Sequence, residues 1–274
     1  TLPPWAETAL AAIRVPTVNP NWTDTTLPNK LRVIVKNDRT SPSVTLLGNI
    51  RHESGLQEAS GKEGVSDVLD ELFSYGTTTL DRLAFRKALD DIAANESAGY
   101  DFSLRVPSSD FARGVELLAD NLLHPALPAD AFGIIKQQTA EFLEGQMKSP
   151  GYRADRAMKM GLLPSGDPGL REATPQTVGS LTLDDVRKHY GATFRPDLAA
   201  ITIIGDIDPA AAQGVIEKYF GAWKADGPTP DPTLPRVPKN AAKNFDVVDP
   251  ETVQASVTLA QQVELTRFDP DYYA

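Results

Sequence analysis

Residues 64–77 read Gly-Val-Ser-Asp-Val-Leu-Asp-Glu-Leu-Phe-Ser-Tyr-Gly-Thr. Val65, Val68, Leu69, Leu72 and Phe73 recur at helical spacing, so the segment predicts an amphipathic helix opened by Gly64 and closed at Gly76. Its opposite face carries Asp67, Asp70 and Glu71 at i, i+3 and i+4. Three carboxylates so spaced could chelate calcium or magnesium, which take several oxygen ligands. They also suit a solvated first helical turn, where acids complement the macrodipole, and that is the preferred reading.

Outward from this helix the period changes. Upstream, Leu31–Val35 and Val44–Ile50 are apolar and β-branched, with a turn-like Asn37–Pro42 between them, which predicts a β-hairpin. The loop Gly55–Glu63 resembles a phosphate loop only faintly. Its glycines are one residue too far apart, and Glu63 stands where a hydroxyl should hold magnesium, so it is expected to be solvated. Downstream, helical spacing predicts a helix over 79–92, and alternation predicts a strand over 102–106. Asp110 is expected to cap a helix burying Phe111, Val115, Leu118, Ala119 and Leu122. Pro125 and Pro128 separate it from a helix over 129–148, and Ser149-Pro150 opens another that runs to about Leu163. Residues 164–180 read as loop. Thr182 and Asp185 suggest a capping box, Leu198–Ile204 a buried strand, and Asp208-Pro209 a further helix start.

Hairpins mixed with helix runs indicate α+β architecture: an antiparallel or mixed sheet with helices packed on one face. Residues 1–25, with four prolines, form a lead-in of little regular structure, and 26–225 form the main domain. Pro228, Pro230, Pro232, Pro235 and Pro238 mark 226–240 as a linker, because such a stretch sustains neither helix nor central strand. Phe245–Val248 and Ala255–Ala260 look like strands that open a second, truncated domain over 241–274. With no terminating element at its end, the 274-residue chain is expected to be a piece of something longer.

Composition narrows the chemistry. Net charge is −10, from 27 basic and 37 acidic residues, which disfavours a nucleic-acid partner. Charged residues make up 23% of the chain, too polar a composition for membrane spans. Without cysteine there are no thiol nucleophiles, disulfides or Cys-ligated zinc. Gly64-Val65-Ser66 lacks the glycine spacing of a nucleophile elbow, and nothing selects a Ser-His-Asp triad. His124 and His189 are each expected to end an amphipathic helix, where an imidazolium suits the last carbonyls. His52, in a loop after a strand, carries no further signal.

Several of these segments, in order, resemble the pitrilysin/insulinase family of zinc metallopeptidases, which includes the mitochondrial processing peptidases. LPNKLRV at 27–33 is similar to the family's LxNGLxV strand, and GVSDVLDELFSYGT at 64–77 to its GLAHFLEHMLFKGT helix. NESAGYDFS at 95–103, LLADNLLHP at 117–125, Leu181–Tyr190, Phe194-Arg195-Pro196, Ile204-Gly205-Asp206 and Tyr219-Phe220 follow the remaining landmarks. In catalytic members that helix carries HxxEH, two zinc-binding His with a general-base Glu between them. Here the His positions hold Asp67 and Glu71 and the Glu position holds Asp70. The family's third ligand is a later Glu; residues 132–138 hold no acid, and Glu141 and Glu144 fall too late to be assigned. No catalytic, cofactor-binding or metal-ligating residue is therefore carried over.

The resemblance implies the degenerate half of such a peptidase, a non-catalytic module that helps form a substrate chamber. Zinc would sit in an HxxEH-bearing half, in the same protein or a partner chain, acting on a peptide substrate. An inactive scaffold, like the core subunits of respiratory complexes, is the alternative. The resemblance also suggests a periplasmic or cell-envelope location.

Overall fold

A computed structural model describes Trp5, residues 22–248, 257–263, 265 and 269–273. The strands are β1 (Trp22–Thr26), β2 (Arg32–Asn37), β3 (Ser43–Ile50), β4 (Asn95–Ser97), β5 (Asp101–Pro107) and β6 (Ala199–Gly205). They form one six-stranded sheet in the order β1-β2-β6-β3-β5-β4. β6 runs parallel to β2 and antiparallel to β3, so the sheet is mixed. This is the expected α+β class.

The period of two in each strand assigns the faces. Val33, Val35, Leu46, Leu104, Ile201 and Ile203 are buried and aligned across the ladders. The opposite face leaves Leu47 and Ile204 exposed. The helices are α1 (Ser54–Gln57), α2 (Val65–Leu72), α3 (Arg82–Asp90), α4 (Phe111–Leu123), α5 (Ala129–Lys148), α6 (Pro150–Leu162), α7 (Pro175–Gly179), α8 (Leu183–Thr193) and α9 (Pro209–Phe220). α2 packs against α5 and α8, α4 lies on β5, and α9 lies on β2. Val68, Leu69 and Leu72, the apolar stripe of the deciding helix, are fully buried in the core.

The expected hairpin does not form. β6 inserts between β2 and β3 and pairs with both, because its own apolar run buries best at the centre of the sheet. Strand β1 begins inside the stretch read as an irregular lead-in; Asp24 and Arg32 pair across it, and the ladder to β2 supplies the order that proline-rich flanks did not suggest. The helix expected over 79–92 is shorter, since Asp81 captures the N–H groups of Leu83 and Ala84 and fixes its start. Asp110 makes no side-chain cap; its carboxylate accepts instead from the Ser109 hydroxyl. Within 164–180, Thr174 and Thr177 close a reciprocal capping box and build α7 where loop was expected. The caps at Ser149, Thr182 and Asp208 form as their sequences indicate.

Residues 226–240 carry no helix or strand. Their start is fastened to the sheet domain: Arg195 donates to the carbonyls of Asp226 and Gly227, and Thr229 donates to Asp197. Phe245–Val248 and residues 257–260 form no strand; nothing in the described chain pairs with them, and a lone strand has no ladder to satisfy it. The rest of the expected second strand, residues 255 and 256, lies outside the described residues.

Candidate functional site

The polar face of α2 opens on a cleft of about 450 Å³, bounded by the end of β3, the start of β5 and Pro232 of the linker. Asp67 and Asp70 line it together with His52, Ser66, Tyr100 and Asp101. Two devices aim α2 at this cleft. Gly64 takes a left-handed conformation (φ 92°) at the helix start, where a Cβ would lie 2.6 Å from Val178 Cγ2. Glu58 then receives the orphan donors of the first turn: Gly64 N–H at 2.9 Å, Ser66 N–H at 3.1 Å and the Ser66 hydroxyl.

Glu58 is thus buried, 5% exposed, contrary to the solvated loop expected for residues 55–63. Arg171 holds that loop in place, donating to the carbonyls of Gly55 and Glu58 and to Glu63 at 2.8 Å. Burial raises the Glu58 carboxyl above its ordinary value, while its three hydrogen bonds pull the other way.

Asp67 and Asp70 reach the open side of the cleft, as a solvated face would. The packed walls nonetheless withdraw enough water to raise both. Asp70 is pushed up to about 7, by burial first and then by the charges of Asp67, Asp101 and Glu71. The Tyr100 N–H donates to Asp70 Oδ1 at 3.2 Å and holds the side chain toward β5. Glu71 does not line the cleft. On α5, Glu141 accepts from Gln137, and Glu144 pairs with Lys148 at 2.8 Å, both on an exposed surface. The family's zinc position therefore offers carboxylates and no nitrogen, one of them already engaged by backbone. These residues do not fit a His-ligated zinc able to activate water. They can accept hydrogen bonds and positive charge from a ligand lying in the cleft.

Behind the acids lies an aromatic group that sequence reading missed. His189 is not at a helix end but two-thirds along α8, buried, with its Nε2 2.8 Å from the Tyr100 hydroxyl. That hydroxyl also lies 2.8 Å from Thr193 Oγ1. His52 stacks on the Tyr100 ring at 4.0 Å and meets His189 edge-on at 5.5 Å. Burial pushes both imidazoles down to about 4, with the neighbouring His52 adding to the effect on His189. Both are neutral at pH 7, so His189 is not the imidazolium expected at a helix terminus. The apolar spacing of Val186 and His189 at i and i+3 was the available signal for burial. His124 does end α4, exposed, its carbonyl accepting from Thr78 N–H.

The fold is a mixed sheet covered by a helix whose cleft-facing acids are Asp67 and Asp70. Residues 180–274 match the family model described as the peptidase M16 inactive domain. Over 235 residues the chain is 24% identical to the "probable inactive metalloprotease" YmfF of Bacillus subtilis, covering 77% of this chain and 50% of that protein. The chain spans about half the length of the curated relatives it matches. Its fold is that of the peptidase M16 inactive domain from Pseudomonas fluorescens (TM-score 0.70, 20% identity, covering 80% of this chain and 54% of that one). It is also that of the periplasmic protease PqqL from Escherichia coli (TM-score 0.63, 16% identity, 81% and 26%).

Proposed function

We propose that this module forms one wall of the substrate chamber of a zinc-dependent metallopeptidase, opposite an HxxEH-bearing half that holds the zinc. That half lies in the same protein or in a partner chain, and the ligand of the chamber is a peptide. The observation that carries this reading is the α2 face, which turns Asp67 and Asp70 into an open cleft and carries no histidine of its own. A helix placed for hydrolysis but furnished only with acids can bind a peptide's N–H groups or basic side chains; it cannot activate water for attack.

The working unit on this reading is residues 26–225, joined through the linker 226–240 to a further domain that begins near residue 241. The compartment we assign is the periplasm or cell envelope, supported by the likeness to a periplasmic protease. No helix of the described residues is long and apolar enough to cross a membrane.

The test compares hydrolysis of fluorogenic peptides by this chain alone and by the full-length parent or the assembled pair. The expected result is no turnover by the chain, chelator-sensitive turnover by the assembly, and a raised KM with nearly unchanged kcat in an Asp67→Ala/Asp70→Ala assembly. Turnover by the isolated chain would refute the reading, and an inactive assembly would move the function to a scaffold.

A further inference from the structure

The two imidazoles and the buried carboxylate behind the cleft have a property that neither the fold nor the peptide-binding face requires. His52, Glu58 and His189 each turn one ligand-type atom toward the others, and the three atoms lie within 4.8 Å of one another. Among the described residues this is the group of His, Asp and Glu side chains that converges in this way. It includes none of Asp67, Asp70 and Glu71, although His52 lines the same cleft as the two aspartates, and it draws on three elements: the loop after β3, the segment leading to α2, and the body of α8. We propose that His52, Glu58 and His189 bind a divalent transition ion of the zinc class at a site distinct from the family's catalytic position.

Three observations carry this. The donor set is two imidazoles and a carboxylate, the combination that suits zinc and its neighbours and that hard cations such as calcium and magnesium avoid. The Nε2 atom of His52 is buried and has no hydrogen-bond partner, an arrangement that costs free energy unless something occupies its lone pair or takes its proton. The donors are also held as metal ligands are held, by outer hydrogen bonds and packing. Glu58 Oε1 accepts from the Ser66 N–H and hydroxyl, while Oε2 accepts only from Gly64 N–H and keeps a lone pair. Tyr100 orients both rings at once, stacking on His52 and hydrogen-bonding His189.

The capping role of Glu58 accounts for its burial and for one end of α2. It does not account for two histidines gathered against the same carboxylate, one with an empty ring nitrogen. An ion there ties the loop of residues 52–58 to α8 and reinforces the wall from which α2 projects, a structural role that needs no catalysis. The inference does not depend on the peptidase reading.

The test titrates the intact, metal-stripped chain with Zn²⁺ and with Co²⁺. One equivalent of Zn²⁺ bound by calorimetry, with a rise in melting temperature, is expected. Co²⁺ should give visible d–d bands of a four- or five-coordinate site containing nitrogen. His52→Gln, at a half-buried position, is expected to weaken binding more than about a hundredfold, beyond the loss typical of an outer-shell change. Asp67→Asn/Asp70→Asn should leave it unchanged. No stoichiometric binding by the intact chain would overturn the proposal without recourse to any variant. Binding that survives His52→Gln but is lost in Asp67→Asn/Asp70→Asn would overturn it too, by placing the ion in the acidic cleft.

Discussion

Glu96→Gln should stabilise the protein above neutral pH and do little below pH 5. Glu96 sits on the short edge strand β4, half-buried, accepting a hydrogen bond from Asn121 Nδ2 at 3.0 Å. Burial pushes its carboxyl up to about 7 from an ordinary 4.5, against smaller opposing contributions from Asn121 and the Arg86 charge. Because the folded pKa lies above the unfolded one, the folded state takes up the extra proton between about pH 7 and 4.5. Stability therefore rises as pH falls through that window, and the cost of the charge is complete only above 7. Two and a half pH units correspond to about 3 kcal/mol, which solvent at this half-exposed site reduces to roughly 1–2 kcal/mol. The amide keeps the acceptor for Asn121 Nδ2. It also adds a donor to the side chain that Asn121 already contacts, and Asn121 Oδ1 is buried and has no partner. Urea unfolding followed by circular dichroism at pH 8 and pH 5 measures the difference. A gain of about 1–2 kcal/mol at pH 8 that shrinks to a few tenths at pH 5 is expected. Equal destabilisation at both pH values would refute the argument, because a loss independent of ionisation would then outweigh the cost of burying the charge.

Three further outcomes follow from individual contacts. Tyr100→Phe removes the hydroxyl shared by His189 and Thr193 and should cost about 1–3 kcal/mol in denaturant unfolding; an unchanged midpoint would mean that the bridge contributes nothing. Gly64→Ala adds overpacking against Val178 and Ala173 to left-handed strain, so its melting temperature should fall well below that of Gly61→Ala, whose φ of 80° is similar but whose surroundings are open. Equal losses would show that packing at Gly64 is not the issue. Asp197→Asn breaks a buried pair with Arg195 (3.0 Å) and should cost about 3–5 kcal/mol, with faster tryptic cleavage at Arg236 as the linker loosens. Unchanged cleavage would separate the linker from this clamp.

What could be read in the sequence was what is local. The α2 stripe, the alternation in β5 and the caps at Ser149, Thr182 and Asp208 depend on residues within a turn or two of one another, and each formed. The pairing of β2 with β6 joins residues nearly 170 positions apart. Adjacent strands with a good turn between them look like a hairpin whether or not a third strand later inserts. The same limit hid the histidine group: His52 and His189 are separated by most of the domain, and Glu58 reads as a loop acid until the helix it caps is in place. Spacing could show that HxxEH was missing. It could not show what had gathered behind it.

The two faces of α2 explain how a catalytic position can erode while its scaffold persists. Val68, Leu69 and Leu72 carry the packing and are sealed in the core, whereas Asp67, Asp70 and Glu71 project away from it, so exchange of the polar residues leaves the fold's stabilising contacts intact. The exchange is still not neutral electrostatically. Burial first, and then the charges of Asp67, Asp101 and Glu71, raise the pKa of Asp70, so ionised Asp70 destabilises the empty cleft. Outward rotation of the acidic side chains into water would relieve this. Their arrangement is relieved equally well by a basic side chain entering the cleft. On the reading proposed above that side chain belongs to a bound peptide, and Asp67→Ala/Asp70→Ala removes the attraction.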